Sequence, residues 1–166
     1  MCLALYLGTN CDLALREGPS LSVRPVSEDA TEVLSVFKTR HVYYLGAHTG
    51  CSCGFPSVIA EGPIEYYDGM FEDDDDRSSD LTSVHELLVL LDEILGKDGK
   101  CTLYPVWSGN ESEDPKGDIA LHRDQLSETT FVLTEQFLYQ IIGEPGHARE
   151  RPNRADSNGD ITPAAP

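Results

Sequence analysis

The stretch Cys2-Leu3-Ala4-Leu5-Tyr6-Leu7 alternates with a period of two. Leu3, Leu5 and Leu7 share one face and Cys2, Ala4 and Tyr6 the other, which predicts a strand with its leucines toward a core. A strand with one apolar face needs a partner layer, so the rest of the chain is read for what covers those leucines. Leu21 to Val26 reads as a second strand that ends at Pro25, because proline cannot donate to a ladder. Ser27 then caps a short helix in which Ala30, Val33, Leu34 and Phe37 fall on one face. Val42 to Ala47, rich in Tyr and branched residues, is a third strand.

The second helix carries the strongest pattern. Ser79, Asp80 and Ser83 offer caps, Ser83-Val84-His85-Glu86 has the form of a capping box, and Gly96 terminates the run. Val84, Leu87, Leu88, Leu91, Ile94 and Leu95 make its apolar stripe, with Leu88 and Leu91 near the centre. Cys101 to Trp107 follows as a fourth strand, in which Pro105 suggests an edge or a bulge. Residues 119–126 form a short strand or a single helical turn. Residues 131–142 suit a strand by their aromatic and branched content, and a helix by the spacing of Phe137, Leu138, Ile141 and Ile142. Strands and helices do not alternate as in a doubly wound sheet. The expected fold is α+β: one mixed or antiparallel sheet of about five strands, with two helices packed on one face. Residues 1–142 form the domain, 56–77 a long acidic loop within it, and 143–166 a disordered tail rich in Pro, Gly, Arg and Asp.

A chain of 166 residues is long enough for one core without staples. Its net charge of −17, from 12 Lys+Arg against 29 Asp+Glu, repels phosphate backbones and anionic lipid, so neither nucleic acid nor membrane is an expected partner. Glu61 to Asp80 concentrates the acidity. Its plain role is a solvated, self-repelling loop; its sharper roles are a hard-cation site or a docking surface for a basic protein partner. Five cysteines without framework spacing, and the absence of a secretory pattern, point to reduced thiols in the cytoplasm.

The chemically distinctive segment is Gly50-Cys51-Ser52-Cys53-Gly54-Phe55. Cys51 and Cys53, with His48 three residues upstream, supply sulfur and imidazole ligands for zinc or another thiophilic metal. A closed site needs four ligands, and Cys2, Cys11, Cys101, His41 or His122 could complete it. The same pair could instead oxidise to a labile disulfide, or be two small hydrophobes beside a strand end. Cys2 invites a separate reading. Removal of Met1 would leave a thiol beside a free α-amine, which resembles the start of glutamine-amidotransferase-type enzymes, although no further motif of theirs follows. His85, with Asp92 seven residues on, reads as a solvent-facing His beside an acid.

Met1-Cys2-Leu3-Ala4-Leu5-Tyr6-Leu7, Val42-Tyr43-Tyr44-Leu45-Gly46 and the Gly50–Phe55 loop together resemble a group of small uncharacterised bacterial proteins. The resemblance extends to about Ile142 and implies no activity. The function expected from the residues is therefore a thiolate metal or redox site at the Cys51/Cys53 loop, with an acidic interaction module as the alternative.

Overall fold

The computed structural model describes residues 2–55, 58–59, 74–128 and 130–143. Nine strands and two α-helices are found among them. They are β1 (Leu3–Thr9), β2 (Arg16–Glu17), β3 (Leu21–Pro25), α1 (Thr31–Val36), β4 (His41–Ala47), β5 (Val58–Ile59), α2 (Asp74–Asp98), β6 (Lys100–Trp107), β7 (Gly117–His122), β8 (Leu133–Thr134) and β9 (Phe137–Ile142). Seven strands form one sheet in the order β2-β3-β4-β1-β6-β9-β7. Every neighbouring pair is antiparallel except β7 with β9, so the sheet is mixed. Strands β5 and β8 make a separate parallel pair.

The α+β class and the mixed sheet are as the residue pattern predicts. The sheet holds seven strands rather than about five, because residues 117–122 and 137–142 both take the strand alternative and Arg16–Glu17 adds a short edge. The helices also do not share a face. Leu3, Leu5, Leu7, Val23 and Leu45 pack in one cluster with Val84, Leu87, Leu91 and Ile94 of α2. Ala4, Val42, Tyr104 and Val106 pack in another with Val33 and Phe37 beside α1. The physical reason is that the central strands are apolar on both sides, so a cover on one face alone would leave Ala4, Tyr104 and Val106 in water. Phe37 closes the second face edge-on against Tyr104, with centroids 6.3 Å apart.

Pro105 lies in an interior strand, not at an edge. It faces Leu5 of β1, and its carbonyl accepts the Gln136 N–H at 2.7 Å. The missing proline donor thus points away from β1, past the last β9 partner at Leu103, where no ladder bond is lost. Helix α2 begins at Asp74, earlier than its Ser and Asp caps suggest, so Asp74, Asp75 and Asp76 stand in its first turn where the macrodipole favours acids. It continues through Gly96 and closes with the Gly99 N–H on Leu95 O at 2.9 Å. Helix α1 is shorter than predicted, with Ala30 rather than Ser27 at its N-cap. No helix among the described residues is long and apolar enough to cross a membrane. The acidic segment from Glu61 to Asp73 and the tail 144–166 lie outside the described residues.

Candidate functional site

Strand β4 ends at Ala47 and the chain turns back at once. Gly50 takes φ +76°, a conformation that favours glycine, and its N–H donates to Ala47 O at 2.8 Å. The Ala47 N–H in turn donates to Cys51 O at 3.0 Å, which brings the loop against the sheet. Ser52–Gly54 then forms one 3-10 turn. A Cβ on Gly54 would come within 2.9 Å of the Ala47 Cβ and 3.0 Å of the His48 ring, so the turn sits too close to β4 for a side chain there.

The turn inserts its side chains into the sheet. Leu5 of β1 faces Leu45 of β4, but the direct bond between them is replaced by the Ser52 hydroxyl. Its Oγ accepts the Leu5 N–H at 2.8 Å and donates to Leu45 O at 2.6 Å. One step along β1, the Leu3 N–H donates to Cys53 Sγ at 3.3 Å. The Ser52 N–H is held by the Tyr44 hydroxyl at 3.2 Å. Two side chains of the Cys-Ser-Cys segment therefore satisfy β1 donors where its pairing with β4 stops. This rigid seating presents Cys53 at the surface and Cys51 half-buried beside it.

The two thiols are not equivalent. Cys51 Sγ accepts the Cys53 N–H at 3.4 Å and lies 3.4 Å from Thr49 Oγ1. Partial burial pushes its pKa up, but hydrogen bonds from Thr49, from the Cys53 N–H and thiol, and from the Gly54 N–H outweigh it, so Cys51 lies below the ordinary thiol value. Cys53 is pushed up to about 11, first by burial and further by the Cys51 thiol and by charge on Cys51 and Cys2, against the Leu3 N–H that favours its thiolate. One thiol is thus poised to ionise and its neighbour to stay protonated.

His48 is placed next to the loop, where its ring packs over Gly54 and its Nδ1 lies 3.4 Å from Ser83 Oγ. Ser83 is not a helix cap but a buried residue inside α2. Its hydroxyl donates to Ser79 O at 3.0 Å and accepts the His48 N–H at 3.1 Å, tying the loop to the helix. Among the described residues no group of three or more His, Cys, Asp or Glu side chains is arranged to hold a metal ion. The thiols proposed as distant ligands divide between the ends of β1. Cys2 is exposed near Cys53, whereas Cys11 and Cys101 lie at the far end, half-buried and buried.

Ser52, Thr49 and Tyr44 are the site residues that residue pattern alone did not single out. Nothing in a Gly-Cys-Ser-Cys-Gly string says that the serine replaces a sheet rung, since that depends on where the pairing of β4 with β1 stops. His85 is exposed and pairs with Glu128 at 2.7 Å rather than with Asp92, which takes Arg123 at 2.9 Å. Both pairs line a shallow cavity of about 460 Å³ along α2, with Leu88 and Leu126 as its apolar floor. Its polar side chains are taken up by those two pairs, and the thiol loop is the more distinctive place among the described residues. No protein-family model, curated protein or solved structure matches the chain.

Proposed function

We propose that this protein is a small thiol–disulfide exchange protein of a reducing cytoplasm, with Cys51 as the attacking thiolate and Cys53 as its resolving partner. The observation that carries this reading is the seating of Cys51 Sγ on the Cys53 N–H at 3.4 Å and beside the Thr49 hydroxyl, half-exposed, with a second thiol one residue away. The Cys51 thiolate attacks one sulfur of a substrate disulfide, forms a mixed disulfide and expels the other substrate sulfur as a thiolate. Cys53 then loses its proton to solvent and attacks the Cys51 sulfur. The Cys51–Cys53 disulfide forms and the second substrate thiolate leaves. The substrate gains the two electrons that the dithiol gives up, so the reaction balances without a further reductant. With a net charge of −17, the chain would steer basic protein disulfides toward itself, and the association would weaken with salt.

The experiment is oxidation by glutathione disulfide, followed by intact-mass and peptide mapping, with alkylation rates measured against pH. A Cys51–Cys53 disulfide is expected, as is Cys51 alkylation that stays fast below the pH range of an ordinary thiol. An ordinary pH profile for Cys51 together with no internal disulfide would refute the proposal. Stoichiometric zinc or copper in protein purified without chelator would also refute it, in favour of metal binding through Cys51, Cys53 and His48.

A further inference from the structure

We propose that Cys53 is shared between two thiols, so that the disulfide it forms with Cys51 passes on to Cys2. The inference rests on the exchange reading of Cys51 and Cys53 and adds a third reacting residue to it. The N–H that binds Cys53 Sγ at 3.3 Å belongs to the Cys2–Leu3 peptide. No described peptide bond is cis, and in a trans peptide the N–H lies on the same side as the preceding Cα. Standard backbone dimensions then put the Cys2 Cα about 4 Å from Cys53 Sγ, and the two Cα atoms within about 7 Å, the span that disulfides bridge. The Ser108 N–H donates to Cys2 O at 2.8 Å and holds that residue in place just beyond the last β1–β6 pair, Leu3 with Trp107. Cys2 and Cys53 are both exposed, and charge on Cys2 is felt at Cys53. Cys11 and Cys101 stand at the opposite end of β1 and do not compete.

The step is an exchange within one molecule. The Cys2 thiol gives its proton to solvent and its sulfur attacks Cys53 Sγ. The Cys2–Cys53 bond forms, the Cys51–Cys53 bond breaks, and the electron pair leaves on Cys51 Sγ. No net oxidation or reduction occurs. The direction follows from the leaving group: expelled Cys51 returns to the hydrogen bonds from Thr49 and from the Cys53 and Gly54 N–H groups. Passing the disulfide on therefore restores the attacking thiolate while the protein stays oxidised.

The test uses the full chain and glutathione disulfide as probe, with time-resolved disulfide mapping and counting of fast-alkylating thiols. Wild type is expected to show Cys51–Cys53 early and a several-fold excess of Cys2–Cys53 at equilibrium, with Cys51 again alkylated fast. Cys2→Ser should stop at Cys51–Cys53, with Cys51 blocked, and circular dichroism should match the wild type. If Cys51–Cys53 persists equally in both proteins, the transfer is overturned while the exchange pair stands. If neither protein forms a disulfide at Cys53, the exchange reading fails and the transfer with it.

Discussion

Strand β1 has thiols near both of its ends, and their surroundings differ in every respect that controls sulfur chemistry. At its start, Cys53 and Cys2 are exposed, Cys51 is half-buried, and backbone N–H groups and a hydroxyl point at sulfur. At its far end, Cys101 is 2% exposed within the α2-side core, and Cys11 packs against that core from its edge. Burial, with smaller effects from Asp98 and Cys11, pushes the Cys101 thiol up to about 12. On the exchange reading proposed above the cysteine side chain serves as a nucleophile in one place, while in the other it packs as a small hydrophobe. What separates them is where the sheet stops. The β1–β4 pairing stops at Leu5 with Leu45 and leaves β1 donors for the loop to satisfy, whereas the other end of β1 is still flanked by β4 and β6, with Gly8 facing Val42 and Thr102.

The largest effect is expected at the residue that makes the open end possible. Ser52→Ala removes the acceptor of the Leu5 N–H and the donor to Leu45 O, both buried. Each unsatisfied group costs about 1–3 kcal/mol, so denaturant melts should show a loss of about 2–6 kcal/mol. Cys51 should also lose its fast alkylation, because the turn that presents it is held through Ser52. A neutral Ser52→Ala would mean that β1 and β4 close up directly and that the loop is not a substitute rung.

The buried end should reveal itself through pH. Unfolded, Cys101 ionises near an ordinary thiol value of about 8.5; folded, it holds its proton to about 12. Above pH ~8.5 the unfolded state therefore binds fewer protons than the folded state, and stability falls as pH rises toward 12, by up to about 1.4 kcal/mol per unit. Burial also raises Tyr6, Tyr43 and Tyr104, which steepen the same limb, so the measurement is the difference between wild type and Cys101→Ala. The variant should be less stable at pH 7, where its lost methylene-sized volume costs about 1 kcal/mol, and flatter in the alkaline range. Parallel curves for the two proteins would place Cys101 in contact with water.

The contrast between the two ends was only partly legible in the sequence. The period-two leucines of β1 and the α2 stripe announced the α2-side core, and Leu87, Leu91 and Ile94 are fully buried as that stripe requires. The second covered face was missed because Ala4 and Tyr6 look like the outward side of a half-buried strand, and Tyr104 and Val106 sit around a proline. Glycines around Cys51 and Cys53 marked a tight turn correctly. They could not show that the turn replaces ladder bonds, nor that Cys2, distant in sequence, would lie beside Cys53. Such proximity is set by strand register, and register depends on the whole sheet rather than on any local string.

The smallest expected effect falls on Cys53, and it separates a structural thiol from a reacting one. Its Sγ accepts the Leu3 N–H, so part of its role is to satisfy that donor. A serine hydroxyl can accept the same bond at a partly exposed position, so Cys53→Ser should change stability by no more than about 0.5 kcal/mol. Cys53→Ala leaves the donor to solvent and should cost somewhat more, about 1 kcal/mol. The Cys51–Cys53 disulfide should vanish in both variants, because the sulfur next to Cys51 that resolves it is gone, and glutathione should then stay attached to Cys51 as a mixed disulfide. That combination of an intact fold and a trapped adduct is what a resolving thiol predicts. If Cys53→Ser were as damaging as Ser52→Ala, the sulfur would be a wedge that the sheet needs for its shape. The open end of β1 would then differ from the buried end in exposure but not in chemistry.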